Sequence, residues 1–461
     1  MFKQFQNIFT NFKTQMSWGD FSFGLTEKNI RKISADKSEP DWMLQKRLNS
    51  FNLYRKTKLP NWGPSLHKLD LQNIIYYVPS NLQEKNKWEE LPAEISQQFE
   101  KLGIPKAERE YLGGVGAQYD SGVVYHSIKD SLKKQGVIFE NMDTAVKLYP
   151  ELVKKYFMTD CTPATDHKFM MLHGAVWSGG TFIYVPKGVK VSMPLQAYFR
   201  MNKEKSGQFE HTLIICDENA TVEYIEGCSA PRYNYSSLHA GCVEIFVMKN
   251  SKVKYSSIEN WSKNTFNLNT KKAIVLENGI IEWLNGNMGG HSTMLYPSSI
   301  LIGDNSKNES LSIAMAGANQ NQDVGAKVIH LGKNTSSIIK SKSIVRNGGI
   351  STYRGFVEVK KSGENSKSSV SCDTLILDNQ SQALAVPVNK IQNPNVEISH
   401  EAKVGKLNDR EIFYTNLHGY DEYGTERLIV GGFATEVIKK LPLEYAVELN
   451  KLIDLEIENN L

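Results

Sequence analysis

The chain has 461 residues and a formal net charge of only +4, so it lacks the strongly basic balance that attracts nucleic acid or an anionic membrane surface. No apolar run approaches the roughly 18 residues that a membrane-spanning helix needs. The five cysteines are odd in number and widely spaced, which argues against a disulfide framework and indicates a reducing compartment.

The N-terminal third is predicted to be helical or mixed. Residues 25–58 carry apolar side chains at helical spacing, and residues 38–41 form a helix-start cluster with a proline near the first turn. Residues 94–102 and 144–157 form two further helical patterns, separated by loops that contain proline and glycine. We expect residues 1–165 to form an N-terminal domain.

From about residue 170 the pattern changes to short strands. Runs rich in valine, isoleucine, tyrosine and threonine are separated by turn residues, and helix signals become scarce. The clearest predicted strands are 181–185, 212–215, 243–248, 253–258, 280–284 and 336–339.

A turn signal of charged residue, asparagine and small residue recurs through this part. The asparagines are Asn219, Asn250, Asn278, Asn305, Asn334 and Asn365, at spacings of 31, 28, 27, 29 and 31 residues. A nearly fixed period indicates one structural unit that stacks on copies of itself. Short strands at this period predict a parallel β-helix over residues 166–404, in preference to a propeller, which has a longer period, or a sandwich, whose turns would not keep phase.

Helical patterning returns after residue 403. Pro442 can begin a final helix that carries Tyr445, Leu449 and Leu452 on one face. Residues 405–461 are too few for a large core of their own, so we expect this C-terminal helical domain to dock on the solenoid or on a partner.

Cys372, His400 and Glu401 are the first candidate site. Cys372 lies in a predicted strand, and His400 and Glu401 follow about one turn later, so a thiol, an imidazole and a carboxylate could converge and bind iron or zinc. The alternative is a free cysteine that simply packs in the core. No Cys-x-x-Cys pair or four-cysteine cluster occurs in the sequence, which argues against a permanent, fully protein-ligated cluster.

Cys228 is the second candidate. Gly227 before it and Pro231 after it suggest a corner, where a thiol can be accessible and reactive; a buried thiol would be inert. A phosphate-binding loop is not predicted, because Gly332-Lys333 is followed by Asn334 instead of serine or threonine. The chain is therefore not expected to hydrolyse ATP.

Several long motifs occur in the order typical of one family. They are Ser38-Glu-Pro-Asp-Trp42, Tyr184-Val-Pro-Lys-Gly188, Gly207-Gln-Phe-Glu210, Tyr224-Ile-Glu-Gly-Cys-Ser-Ala-Pro231, Ile329-His-Leu-Gly-Lys-Asn-Thr-Ser-Ser337, Thr352-Tyr-Arg-Gly355, Ser371-Cys-Asp373, Ser399-His-Glu-Ala402 and Leu441-Pro-Leu-Glu-Tyr-Ala-Val447. From about residue 25 onward the chain resembles the SufB scaffold family of the SUF iron–sulfur cluster assembly system.

The resemblance implies a right-handed parallel β-helix between N-terminal and C-terminal helical domains. It implies a non-enzymatic scaffold on which Cys228 accepts sulfur from a cysteine desulfurase or sulfur-transfer protein. A transient cluster, expected to be [4Fe-4S], would form near Cys372 and Glu401 with His400 adjacent. Positions that would line a path between the two thiols are Arg200, Asn202, Glu259, Trp261 and Lys271. Glu259 departs from the family pattern, in which glutamine is usual at this position.

The resemblance also implies partners. They are the ATPase SufC at the C-terminal helices, and SufD or a second scaffold copy at the β-helix. Some members of the family bind reduced flavin, and the expected compartment is the cytoplasm, with the plastid stroma as the alternative. Two other classes stay open from the residues alone. One is a β-helix enzyme acting on polysaccharide, and the other is a purely structural module with both thiols buried and inert.

Overall fold

The computed structural model describes residues 23–79, 84–93, 96–97, 111–231, 235–407, 409–441 and 443–458. Its helices are α1 Glu27–Asp36, α2 Asp41–Lys56, α3 Asp130–Lys133, α4 Met142–Leu148, α5 Pro150–Tyr156, α6 Lys168–Val176, α7 Asp409–Leu417, α8 Glu422–Ile438 and α9 Leu443–Glu458, with a short 3₁₀ helix at Trp88–Glu90. The strands of the N-terminal and early solenoid regions are β1 Gly114–Tyr119, β2 Gly122–Ile128, β3 Ile138–Asn141, β4 Thr181–Val185, β5 Leu195–Arg200, β6 Gly207–Gln208, β7 His211–Cys216, β8 Thr221–Ser229, β9 Ser237–His239, β10 Cys242–Val247, β11 Lys252–Trp261 and β12 Thr265–Asn267. The remaining strands are β13 Thr270–Val275, β14 Ile280–Gly289, β15 Ser292–Leu295, β16 Ser298–Leu301, β17 Lys307–Ala316, β18 Asn321–His330, β19 Ser336–Val345, β20 Ile350–Val359, β21 Lys367–Ile376, β22 Gln382–Ile391 and β23 Glu397–Lys406.

The strands form a β-solenoid of about eight turns. Within the described residues one wall is a 10-stranded sheet in the order β2-β1-β5-β8-β11-β14-β17-β19-β21-β23, and the opposing strands form a 13-stranded sheet. From β5 to β23 each strand of the first wall pairs in parallel with the strand one turn later. The predicted parallel β-helix with flanking helices is confirmed. The three domain limits stay predictions, and β1 and β2 join the first wall of the solenoid.

The asparagine corners stack as the periodicity predicts. All six have positive φ, for example 60° at Asn219 and 54° at Asn334, a conformation that asparagine tolerates better than most residues. Within the ladder, Nδ2 of Asn250 donates to Oδ1 of Asn219 at 3.1 Å, and Nδ2 of Asn278 donates to Oδ1 of Asn250 at 2.8 Å. Each corner therefore satisfies part of the hydrogen-bonding capacity of the next one.

The N-terminal helices cover one side of the solenoid. α1 and α2 confirm the helical prediction for residues 25–58, whereas most of the segment 94–102 lies outside the described residues. The single helix predicted over 144–157 is wrong, because the chain forms two helices, α4 and α5. Tyr149 has a non-helical backbone between them, since the proline at position 150 disfavours helical geometry in the residue before it.

The last two helices pack on the outside of the first wall. Val430 and Val437 of α8 and Leu449 of α9 are buried against outward-facing residues such as Ile258 and Ile313. The expectation that this end docks on the solenoid is confirmed. Among the described helices, none combines the length and the apolar character that crossing a membrane requires.

Candidate functional site

Cys228 lies inside the solenoid near the end of β8, and its side chain is 2% exposed. The predicted corner is wrong, and of the two alternatives left open for the thiol the structure shows the buried one. Gly227 serves close packing here, since a Cβ on it would lie 2.7 Å from the ring of Tyr198. The thiol donates to Oε1 of Glu226 at a sulfur–oxygen distance of 3.8 Å. Burial, and then the charge of Glu226, raise the pKa of the thiol well above its usual value.

A buried ion pair lies on the neighbouring turns. Glu259 is directly opposite Cys228 in the β8–β11 register, and Nζ of Lys271 donates to its Oε1 at 2.7 Å. Oε2 of the same carboxylate accepts from Trp261 Nε1 at 3.2 Å and from Asn267 Nδ2 at 2.6 Å. Burial alone would raise the pKa of Glu259, but Lys271 and His239 together lower it to about 2. The negative charge of Glu259 is therefore compensated locally.

Glu210 and His239 complete the cluster beside Cys228. Both are buried, and Nε2 of His239 is 2.5 Å from Oε1 of Glu210. Nδ1 of His239 is 2.7 Å from Oδ1 of Asn267, and Nδ2 of Asn267 donates to Glu259. Hydrogen bonds thus link the histidine to the ion pair of Glu259 with Lys271.

Arg200 and Asn202, the two remaining predicted path residues, lie just beyond this cluster. Arg200 ends β5, beside Ser229 in the register, and its Nη1 donates to Ser229 Oγ at 3.0 Å. The backbone N–H of Asn202 donates to Oδ1 of Asp120 at 2.6 Å. The structure therefore brings Glu259, Trp261 and Lys271 together near Cys228. Arg200 is one residue beyond the register partner of Cys228, so alternation places it on the other face of the wall, with Tyr198 and Ser229.

Cys372 lies in β21, a strand as the sequence predicts, and faces the solenoid interior. Its neighbours Ser371 and Asp373 are partly exposed, whereas Cys372 is 4% exposed and belongs to the same interior core as Cys228. Burial, and then Asp373, raise the pKa of the Cys372 thiol to about 11. Cys228 and Cys372 are thus on the inner side of one continuous solenoid.

His400 and Glu401 lie on opposite faces of β23. The register pairs His400 with Val370 and Glu401 with Ser371, so alternation turns His400 inward with Cys372 and Glu401 outward. Glu401 is 61% exposed and pairs with Lys403 at 3.0 Å. From the sequence, a thiol, an imidazole and a carboxylate are expected to converge. In the structure only the Cys372 thiol and the His400 imidazole face the same side, so that expectation is wrong for Glu401. Among the described residues, neither ring nitrogen of His400 has a hydrogen-bond partner.

Two family models match this chain. The model described as "SUF system FeS cluster assembly, SufBD core domain" matches residues 199–433, and the model described as "SufBD protein N-terminal region" matches residues 29–197. The chain belongs to the SufBD family of the SUF iron–sulfur cluster assembly system.

SufBD relatives match over nearly the full chain. An iron–sulfur cluster assembly SufBD family protein of Staphylococcus aureus strain MRSA252 is 50% identical over 438 residues, covering 95% of this chain and 94% of the relative. The corresponding protein of Staphylococcus saprophyticus is 49% identical with the same coverage. SufBD membership favours cluster assembly over the polysaccharide-acting alternative.

Four residues beside Cys228 were missed by the sequence predictions for this SufBD chain. They are Glu210, Glu226, His239 and Asn267. A signal existed for one of them: Tyr224, Glu226 and Cys228 alternate along β8, so they share its inner face. Glu210, His239 and Asn267 reach the cluster from the opposing sheet or its flanking segments, and no local pattern links those segments to β8.

Proposed function

We propose that this chain is a SufB-type scaffold of the SUF system, which accepts sulfur at Cys228 and builds a labile iron–sulfur cluster near Cys372. The observation that carries the proposal is that the two thiols face one solenoid interior, five turns apart, with charged and polar side chains around the first. A structural module would be expected to bury apolar groups there, since a buried ion pair costs desolvation energy.

The sulfur step would begin at Cys228. Its thiolate would attack the outer sulfur of a persulfide on a desulfurase or sulfur-transfer protein, and the donor thiol would leave. Glu226 accepts a hydrogen bond from the Cys228 thiol and is therefore placed to take its proton. The product on this chain would be a persulfide on Cys228, with no net change of oxidation state in the transfer.

The interior polar groups would carry sulfur onward. Lys271 reaches the interior from the opposing sheet, and Trp261 lies on the strand next to β8 in the same wall. Arg200 lies beside the end of β8, on the other face of that wall. Cationic donors of this kind stabilise an anionic persulfide in a site that excludes water. We propose the same path role for Asn202 and Glu259.

Iron, as substrate, would be held at the far end of the solenoid. Cys372 and His400 would supply a sulfur and a nitrogen ligand from the inner face, a donor pair that suits iron. Glu401 would join them only after a rotation of β23, which is an edge strand and pairs with β21 alone in the described sheet. Few ligands from one chain would leave a cluster, expected to be [4Fe-4S], weakly held and transferable.

The same edge is the proposed contact for SufD or a second scaffold copy. β22 and β23 pair on one side only within the described residues, and they expose Leu384, Val388 and Val404 by 49%, 43% and 59%. Such an edge is a template for another strand and would be covered in a complex. A covering subunit would also supply the missing cluster ligands.

The ATPase SufC is the proposed partner of the C-terminal helices. Phe413, Tyr414 and Leu417 of α7 are 65%, 64% and 68% exposed, and exposed clusters of large apolar side chains mark protein interfaces. ATP hydrolysis is assigned to that partner. The bacterial relatives support the cytoplasm as the compartment.

A reduced flavin would supply the two electrons that turn sulfane sulfur into sulfide. A cavity of about 460 Å³ between the N-terminal region and the solenoid fits an aromatic anion, because Trp62 and Tyr296 line it together with several lysines. Lys271 also lines this cavity and donates to Glu259 inside the solenoid. In this chain those aromatic and basic side chains would bind and orient the flavin.

Anaerobic reconstitution tests the scaffold assignment. The chain is incubated with ferrous iron and sulfide, and the visible absorbance of an iron–sulfur cluster is measured. We expect a labile cluster in the wild type and in Cys216→Ser, which removes another buried thiol. Cys372→Ser should abolish it, and an unchanged spectrum in that variant would reject the assignment.

A further inference from the structure

Three metal-ligating side chains meet inside the solenoid, away from Cys372. One ligand atom each from Glu210, Cys228 and His239 lies within 4.8 Å of the other two. The three residues are 2%, 2% and 0% exposed. They come from the loop after β6, from β8 and from β9, so the solenoid itself holds them together.

Two polar groups at this cluster are left without partners. Among the described residues, Oε2 of Glu210 and both polar side-chain atoms of Asn269 have none. They border a common space: a Cβ on Gly241 would lie 2.4 Å from Glu210 Oε1 and 2.8 Å from Asn269 Oδ1. An unsatisfied buried polar group costs about 1–3 kcal/mol. A carboxylate oxygen kept free at this cost, beside a thiol and an imidazole, points to a ligand that is a cation.

His239 is already oriented as a metal ligand. Nδ2 of Asn267 donates to Glu259, so Oδ1 of Asn267 must accept from Nδ1–H of His239. This fixes Nε2 as the atom that faces Glu210. A ligating histidine commonly donates its other ring N–H to an oxygen acceptor in this way.

We propose that Glu210, Cys228 and His239 bind a divalent first-row transition metal, of the class of Zn²⁺ or Fe²⁺. A sulfur, a nitrogen and a carboxylate oxygen suit these ions, whereas Mg²⁺ and Ca²⁺ prefer oxygen alone. Binding would displace the thiol proton of Cys228 and the proton shared by His239 and Glu210, so two protons would be released per ion. Three protein ligands leave a coordination position open, as in reactive rather than structural sites.

The ion would compete with sulfur for the same thiol. Coordination withdraws electron density from the Cys228 thiolate and lowers its nucleophilicity, so a bound ion would slow sulfur acceptance. The cavity of about 460 Å³ would be the entrance for the ion, because Asn269 lines that cavity and lies close to Glu210. The metal site itself does not depend on the sulfur role proposed for Cys228.

Cobalt(II) titration under anaerobic conditions tests the site in the full chain. The Cys372→Ser variant is used as the parent, so that the other candidate thiol cannot contribute. We expect a near-ultraviolet thiolate-to-cobalt absorption band in the parent. The band should be lost on adding Cys228→Ser or His239→Gln and kept on adding Cys216→Ser. Asn267→Ala should weaken binding roughly 10- to 100-fold, as expected when a group that orients a metal ligand is removed.

Two results of the cobalt titration would overturn the proposal. One is the absence of a thiolate band in the parent. The other is a band that survives Cys228→Ser and disappears with Cys242→Ser, which would place the ion at His173, His211 and Cys242, a second buried group with suitable geometry. In the unmutated chain, Zn²⁺ should slow alkylation of Cys228 but not of Cys216. An alkylation rate of Cys228 that is the same with and without Zn²⁺ would also contradict the site. Loss of the reconstituted cluster in Cys372→Ser is independent of all these outcomes.

Discussion

The turns around Cys228 and the last turns around Cys372 are built from the same kind of strand, but one region buries its charged pair and the other exposes it. Around Cys228 the interior is closed, and the Glu259–Lys271 pair is fully buried and linked to Trp261 and Asn267. Around Cys372 the corresponding charged pair, Glu401 with Lys403, lies on the outside and is more than half exposed.

This difference indicates what each region needs from outside the chain. The first needs no covering subunit, because the buried Glu259–Lys271 pair is formed within the solenoid. The second ends in two edge strands with exposed apolar side chains, and the ring nitrogens of His400 have no hydrogen-bond partner among the described residues. The comparison supports sulfur handling within one chain and cluster assembly only after another subunit covers the edge.

The largest expected effect comes from making the same substitution in both regions. Lys271→Met leaves the Glu259 carboxylate buried and unpaired, and removing one partner of a buried pair costs about 3–5 kcal/mol. Lys403→Met removes an exposed partner of Glu401 and should leave the free energy of unfolding unchanged. Chemical denaturation of the two variants measures the difference. Equal stabilities would show that the interior pair is not held as described.

Two histidines extend the comparison to the pH dependence of the free energy of unfolding. His330 is buried between the hydroxyls of Thr335 and Ser337, at 2.8 and 3.0 Å, and burial lowers its pKa to about 4. Its neutral form therefore stabilises the fold above pH 6.5, and this stability is lost as the pH falls from 6.5 through 4. The loss amounts to about 3 kcal/mol, since one pKa unit is worth roughly 1.4 kcal/mol.

His330→Gln should remove this part of the acid sensitivity, and His400→Gln, near the open end, should change it far less. The measurement is the free energy of unfolding of each variant between pH 4 and pH 7. A wild-type slope in His330→Gln would mean that this histidine does not titrate as its burial predicts.

The smallest effect concerns the corner ladder, which runs through both regions. Asn305 has φ of 60° and donates to Asn278 Oδ1 at 3.1 Å. Asn305→Ala should cost about 1–2 kcal/mol, because alanine lacks the side-chain bond and disfavours this backbone region. Asn305→Gly keeps the backbone freedom and should cost less. Thermal unfolding distinguishes them, and an alanine variant as stable as the glycine variant would reject the conformational explanation.

Much of the fold could be predicted from the sequence because it is periodic. The asparagine corners each need a left-handed backbone, so their spacing reports the length of a turn directly. The predicted strand 181–185 coincides with β4, and the other predicted strands fall on β7, β10, β11, β14 and β19. Tyr445, Leu449 and Leu452 are buried as their helical spacing predicts.

The candidate sites could be predicted only in part, because burial and facing depend on the packing of distant segments. Gly227 suggested a turn in the sequence. In the structure a glycine is needed there because a Cβ would clash with the ring of Tyr198. The spacing places both His400 and Glu401 about one turn after Cys372. A one-residue difference in register decides which face a side chain takes, and in the structure His400 faces inward and Glu401 outward. Glu210, in the loop after β6, and His239, in β9, approach Cys228 from separate segments that no local pattern relates.

Locating added sulfur by mass spectrometry tests the central claim most directly. The chain is loaded anaerobically by a cysteine desulfurase, and the persulfide-bearing peptides are identified in the wild type, Cys228→Ser and Cys372→Ser. The account predicts sulfur on both cysteines in the wild type, on Cys228 alone in Cys372→Ser, and on neither in Cys228→Ser. Sulfur on Cys372 at the wild-type level in Cys228→Ser would contradict it.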